Sequence, residues 1–295
     1  MRLNIHHETV YHYAAPASYS IQYLRLTPPT LPGQRVLSWK LSAPAPLRPW
    51  IDAFGNQAHV LVIDQPHEEI RLLATGEVDS DDVDHLISGD FDPHPPSLFL
   101  RPSRLTEIDE TLSSFAHSLK DKFKPWRRAG LDELMHAIRD HVDYQPGITD
   151  AATKASEAFS HKAGVCQDHA HIFIACCRAL GIPARYVSGY LCTSKVGDAG
   201  MASHAWAEAW IDDEGTPGWA TYDVANRIQA GEAHVRLAHG LDYLDACPVR
   251  GMRKGGRGEA LDVMVHVGEA SAEPKRQTAR QTARQKVQEQ NQQQQ

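Results

Sequence analysis

Ala163-Gly164-Val165-Cys166-Gln167-Asp168-His169-Ala170-His171 is the part of the chain on which the fold turns. A small-residue approach ends at a cysteine. An apolar pattern of helical spacing then begins, with Ala170, Phe173, Ile174 and Cys177 recurring at intervals of three and four. Gly181 and Pro183 stop it, glycine at the C-terminal cap and proline just beyond. The spacing predicts a helix that opens at or near Cys166. Backbone N–H groups and the dipole at such an end favour a thiolate over a thiol. Cys166 is therefore a candidate nucleophile, and a buried structural cysteine is the competing reading.

The residues downstream of the helix strengthen the nucleophile reading. Ala184–Leu191 is β-rich. Ser203–Ile211 alternates as a strand does, with His204, Trp206, Glu208 and Trp210 on one face and the alanines and Ile211 on the other. A turn over 212–217 leads into Gly218-Trp219-Ala220-Thr221-Tyr222-Asp223, a second strand antiparallel to the first. Pairing Ile211 with Gly218 sets Asp223 opposite Trp206 and diagonal to His204. A cysteine, a histidine and an aspartate, each at the edge of an element, supply a nucleophile, a base and an orienter.

These residues resemble a family. Gly164 to His171, then His204-Ala205-Trp206, then Trp219-Ala220-Thr221-Tyr222-Asp223, look like the core of the transglutaminase-like (papain-like) superfamily. More narrowly, the chain is similar to bacterial transglutaminase-like cysteine peptidases that carry their own N-terminal β domain. Leu24-Arg25-Leu26-Thr27-Pro28 and Asp52-Ala53-Phe54-Gly55-Asn56 are landmarks of that domain. The resemblance implies Cys166 as nucleophile, His204 as general base and Asp223 as its partner. It departs from the family's pattern at Asp223-Val224, where Asp-Pro is usual.

Composition sets bounds on both readings. The 295 residues suffice for two domains, and 42% hydrophobic with 23% charged residues is ordinary for a globular chain. A net charge of −7 argues against nucleic acid as a general partner. Five cysteines at 166, 176, 177, 192 and 247 form no disulfide framework, which favours a reducing compartment. No stretch reaches the ~18–20 apolar residues of a membrane span, and Met1 to His7 lacks a signal-like apolar run. The expected location is cytoplasmic, with no membrane partner; oligomeric state is not legible.

The chain divides by pattern. Residues 1–78 read as short strands of a small all-β, sandwich-like domain, punctuated by Pro28-Pro29, Pro32-Gly33, Pro44 to Pro49 and Gly55-Asn56. His6, His7 and His12 are expected on strand surfaces. Residues 79–97, acidic and Pro-rich, read as an interdomain linker or surface loop. Residues 98–270 read as an α+β papain-like core, helices packed on an antiparallel sheet. Thr106 and Asp109 resemble a capping box; Ile108, Leu112, Phe115, Ala116 and Leu119 form one helical stripe, and Leu131, Leu134, Met135, Ile138 and Val142 another. Val235–Ala238 and Leu261–Val267 look like strands, and Gly240–Tyr243 and Pro248–Gly251 like loops. Residues 271–295, with a tandem Arg-Gln-Thr-Ala repeat and a Gln-rich end, read as a disordered tail.

A rival chemistry is metal binding by His161, Cys166, Asp168, His169 and His171. On a helix from Cys166, however, His169 and His171 point apart, and no Cys-x-x-Cys is present, so no metal is expected. Asp168 and His169 read as cap or cleft residues and His171 as a packed one. The Cys166 N–H is one natural oxyanion donor. Gln145, Gln167 and Tyr144 are candidates for a second, and Trp206 reads equally as cleft wall or core. Cleft candidates are thus Gln145, Gln167, Asp168 and Trp206. The leading function is a cysteine hydrolase or acyltransferase on a peptide or protein amide, working through a thioester and needing no cofactor. Glutamine–lysine cross-linking, and a binding module on the same scaffold, are the alternatives.

Overall fold

The structure, a computed structural model, describes residues 1–81, 86–89, 92–193, 203–215 and 217–270, with the backbone of 281–283. Strand β1 (Arg2–Leu24) is the spine of an antiparallel sheet. Its first half pairs with β5 (His67–Ser80) on one side and β14 (Glu259–Glu269) on the other; its second half pairs with β4 (Gln57–Ile63) and β13 (Val249–Gly255). Strands β2 (Gln34–Ser42) and β3 (Leu47–Ile51) extend it beyond β5 and β4. The β-domain is therefore not confined to residues 1–78. Val249–Gly255, which begins inside the loop expected over Pro248–Gly251, and Glu259–Glu269, expected in the core, both return to β1. Leu47–Ile51, which begins inside the turn expected over Pro44 to Pro49, is also a strand: Pro49 is tolerated on β3, which among the described residues pairs with β4 alone. Of the Gln/Arg-rich tail, Gln281–Ala283 forms β15 against β14; the rest lies outside the described residues.

The second sheet has the order β12-β9-β10-β11-β6. Its strands are β6 (Leu86–Ser88), β9 (Ala184–Leu191), β10 (Ser203–Ile211), β11 (Gly218–Tyr222) and β12 (His234–Gly240). Ile211 pairs with Gly218 and Ala207 with Tyr222, one of the registers that the turn permits. The acidic segment is more than a linker. Leu86–Ser88 adds an edge strand to β11, and Asp92 is buried against the Arg185 guanidinium.

Helices α1 (Glu110–Ser118), α2 (Arg127–His141), α3 (Ala155–His161) and α4 (Cys166–Ala179) pack on this sheet, followed later by the single turn α5 (Tyr243–Ala246). Asp109 is itself the N-cap of α1, accepting from Leu112 N–H at 2.8 Å; the expected cap at Thr106 belongs to a separate short turn. Helix α4 is the axis of the core. Every residue from Asp168 to Cys177 is buried, so the helix is enclosed on all sides rather than on the one apolar face its spacing suggested. It ends at Gly181 (φ +75), with Ile182 N–H on Cys177 O and Gly181 N–H on Arg178 O, a closure that needs a left-handed residue.

The two sheets share a core of Leu3, Ile5, Val78, Tyr190, Val235, Leu237 and Val267. His7 lies in this junction, buried, with Nδ1 at 2.9 Å from Tyr190 Oη and Nε2 at 3.0 Å from Thr9 Oγ1. It is not the strand-surface residue expected. The Asp52–Asn56 landmark also acquires a physical role here. Asp52 accepts from Arg25 Nε at 2.6 Å and from Asn56 Nδ2 at 2.9 Å. That turn presents the Asn56 amide to the backbone of β12.

Candidate active site

Cys166 is the first residue of α4 and is partly exposed. Its position is set by the preceding turn. Asp168 reaches back to accept from Val165 N–H at 2.8 Å and from Thr149 Oγ1 at 2.6 Å, a cap that pins the helix start. Gly164 is required for that approach, since a Cβ there would meet the Asp168 side chain at 2.7 Å. Burial raises the Asp168 carboxyl, opposed by those hydrogen bonds. Asp168 is thus a buried capping residue at the start of α4.

His204 stands near the start of β10, buried, and its ring joins two partners. Nε2 lies 2.8 Å from Asp223 Oδ2, and the Cys166 sulfur is near enough to act on the charge of the ring. With Nε2 committed to Asp223, Nδ1 is the nitrogen left for the thiol. Burial alone would lower this histidine. The Asp223 carboxylate and the Cys166 sulfur overcome it and raise the imidazole to about 10. Burial likewise pushes Asp223 up, but the His204 charge and the hydrogen bonds from His204 and His234 hold it well below the carboxylate range.

Two further residues complete the cluster. Asn226 Nδ2 donates to Asp223 Oδ2 at 2.7 Å, and His234 Nε2 lies 3.0 Å from the same oxygen. Neither was singled out by sequence reasoning. Each stands alone in its local pattern, Asn226 in a turn and His234 at a strand start. The donor atoms of His204, Asp223 and His234 lie within 4.8 Å of one another, a spacing within the reach of a metal ion. The hydrogen bonds fit a proton-sharing cluster better. His234 Nδ1 accepts from Gly231 N–H at 3.2 Å, which leaves the His234 proton on Nε2, facing the carboxylate.

The other expected residues separate. The parallel pair β7 (Asp143–Tyr144) and β8 (Ala163–Gly164) brings Gln145 alongside the approach to Cys166; its N–H donates to Gly164 O at 2.8 Å and its side chain is exposed. Gln167 is half-buried in the first turn of α4. Trp206 is buried, its ring 6.4 Å from His204 and 5.3 Å from His234, so it packs behind the histidines. His169 and His171 are buried and engaged elsewhere. His169 lies against the Val142 and Val165 carbonyls, while His171 accepts from Tyr243 N–H. Glu208 forms a buried ion cluster, with Arg185 Nε at 2.6 Å and Arg236 Nη1 at 2.8 Å. The Arg185 guanidinium also sits 4.0 Å over the Trp219 ring.

The chain is similar to known proteins over both of its sheets. The transglutaminase-like superfamily matches residues 115–224, and the bacterial transglutaminase-like N-terminal region matches residues 3–79. An uncharacterized protein of Mycobacterium leprae is 29% identical over 280 residues, covering 90% of this chain and 98% of that one. A protein-glutamine gamma-glutamyltransferase of Pseudomonas aeruginosa is 28% identical over 242 residues, 68% of this chain but 36% of that protein. Among solved structures, a proposed cysteine protease from Cytophaga hutchinsonii has a TM-score of 0.73 at 23% identity, covering 93% of this chain and 92% of that one. At that identity the likeness is one of fold.

Proposed function

We propose that this chain, whose residues 115–224 match the transglutaminase-like superfamily, is a cysteine-nucleophile amide hydrolase or acyltransferase. The observation that carries the reading is His204, held by the Asp223 carboxylate at 2.8 Å and raised by that carboxylate and by the Cys166 sulfur at the start of α4. In that arrangement the thiol proton passes to His204, and Sγ attacks the carbonyl carbon of a peptide or protein amide. The oxyanion forms beside the start of α4, where the Cys166 N–H has no partner within the helix. His204 then gives its proton to the departing amine, leaving a thioester on Cys166. Water or a second amine attacks the thioester, His204 takes the incoming proton, and the thiol is released. Asp223 keeps the imidazole in orientation and balances its charge throughout. No cofactor enters any step. The free thiols at 166, 176, 177, 192 and 247 fit a reducing, cytoplasmic setting.

Transfer from a protein glutamine to a lysine amine is the second reading. It is favoured by the name of the Pseudomonas aeruginosa relative, which aligns over 68% of this chain. Both readings share the acyl-enzyme and part at the nucleophile that resolves it. The test is intact-mass spectrometry of the protein quenched during incubation with a glutamine-containing peptide, with and without a primary amine. An acyl adduct mapped to Cys166, absent from Cys166→Ala, supports the mechanism. Turnover of the peptide by Cys166→Ala would sink it. A product carrying the added amine would select transfer over hydrolysis.

A further inference from the structure

Strand β12 is the outer strand of its sheet, so one row of its backbone groups points away from β9. Amide side chains from the N-terminal sheet fill that row. Gln34 accepts from Arg236 N–H at 2.7 Å and donates to Arg236 O at 3.0 Å, as a paired strand residue would. Asn56 does the same at His239, at 2.9 and 2.8 Å. Ser80 Oγ donates to His234 O at 3.3 Å. The edge is thus held by the other sheet at three of its residues, and the first of them is His234.

The His234 ring is fixed as firmly as its backbone. Gly231 N–H occupies Nδ1, the Trp206 ring stands edge-on at 5.3 Å, and Nε2–H is aimed at Asp223 Oδ2. That carboxylate oxygen also takes His204 Nε2 and Asn226 Nδ2, so donors converge on it from β10, β12 and the turn after β11. Behind the ring lies a cavity of about 60 Å³ between the sheets, lined by Gln34, Ser80, Trp206 and Arg236 among others. Trp206 Nε1 has no hydrogen-bond partner among the described residues. The wall behind His234 is therefore supplied partly by the N-terminal sheet.

We propose that His234 is a positioning residue of the site: a neutral donor that locks Asp223, so that Asp223 holds His204 towards Cys166, with the N-terminal sheet fixing His234 through β12. This rests on the reading of Cys166 as an activated nucleophile. Burial keeps His234 below the ordinary histidine value against the pull of Asp223, which suits a donor that does not itself carry charge. The role needs an N–H at the Nε2 position and nothing else of the imidazole. Glutamine places its amide N–H near that position, asparagine places it too short, and leucine has none.

The experiment measures iodoacetamide alkylation of Cys166 in the full chain near pH 6.5, mapped by mass spectrometry, with a thermal melt of each variant as the folding check. His234→Gln is expected within about 3-fold of the wild-type rate, and His234→Leu and His234→Asn about 10-fold or more slower, the range for residues that orient a reactive group at second hand. If leucine prevents folding, the contrast of glutamine with asparagine decides. Equal rates in all folded variants overturn the role of His234 while leaving Cys166 as the nucleophile. So does a glutamine variant as slow as the others. A wild-type Cys166 no faster than the same cysteine in unfolded protein overturns the nucleophile reading, and this inference with it.

Discussion

Helix α4 carries three cysteines, and its two ends treat them oppositely. Cys166 at the start is partly exposed, stands on unpaired N–H groups and acts on a histidine that a carboxylate keeps charged. Cys176 and Cys177, near the other end, are buried in the core, and burial raises both thiols far above the ordinary range. The residue type and the helix are the same throughout. Reactivity is therefore a property of place: a helix end, a partner base and access, against enclosure by apolar neighbours. The same contrast runs through the histidines, where His204 is raised to about 10 by its charged partners while buried His171 is pushed down to about 4.

Mutations at the two ends put this contrast at risk. Cys166→Ala should abolish amide-bond activity with the fold intact, whereas Cys176→Ala should keep it; the reverse result in a turnover assay would show that the wrong end of the helix had been chosen. Asp223→Asn should cost up to about 10⁴-fold in kcat, the loss a serine triad suffers when its histidine is misoriented. Asn226 and His234 can still donate to the amide oxygen, but the charge paired with buried His204 is lost, so its melting temperature should fall below wild type. Because the Asp223 charge is what lifts His204 against burial, the alkaline limb of the pH–rate profile belongs near 10 in the native protein. It should move towards the ordinary histidine range in Asp223→Asn. The sign is fixed by the direction of the shift. A raised pKa means that the stability His204 contributes is full below 6.5 and gone once the pH passes about 10, which a pH series of thermal melts would register.

Smaller effects test the scaffold around each cysteine. Asp168→Ala removes the cap on Val165 and should destabilise by about 1–2 kcal/mol in denaturant titration, with a loss of activity from the displaced Cys166. Cys176→Ala leaves a small void and should cost about 1 kcal/mol with activity unchanged. Equal effects of Cys166→Ala and Cys176→Ala on stability and on turnover alike would erase the distinction between the two ends.

The legible parts of this chain are the local ones. The helix at Cys166 was written in its spacing and its Gly-x-Pro stop, and the antiparallel β10–β11 pair in the residues on either side of the 212–217 turn, which permits Ile211 on Gly218 without fixing it. The α1 and α2 core positions Leu112, Ala116, Leu131, Leu134 and Ile138 came from period alone. What stayed hidden depends on distant partners. Nothing in Val249–Gly255 announces that it will lie on β1, at the far end of the chain. Leu86–Ser88 is masked by the acidic residues around it, and Asp92 looks solvated until Arg185 is seen against it. Glu208 follows the alternation of a strand face but is buried between two arginines. His234 is the sharpest case. A lone histidine before a valine carries no pattern, and only the meeting of β11 and β12 sets it on Asp223.

The decisive measurement is alkylation by iodoacetamide from about pH 4 to 9, resolved to each cysteine by mass spectrometry, against the ordinary thiol at about 8.5. Cys166 alone should react fast at the acidic end of that range, His204→Ala should remove the advantage, and Cys176 and Cys177 should stay silent in native protein. A Cys166 that reacts no faster than an ordinary thiol, or that is outpaced by either buried cysteine, would contradict the assignment of Cys166 as the activated nucleophile.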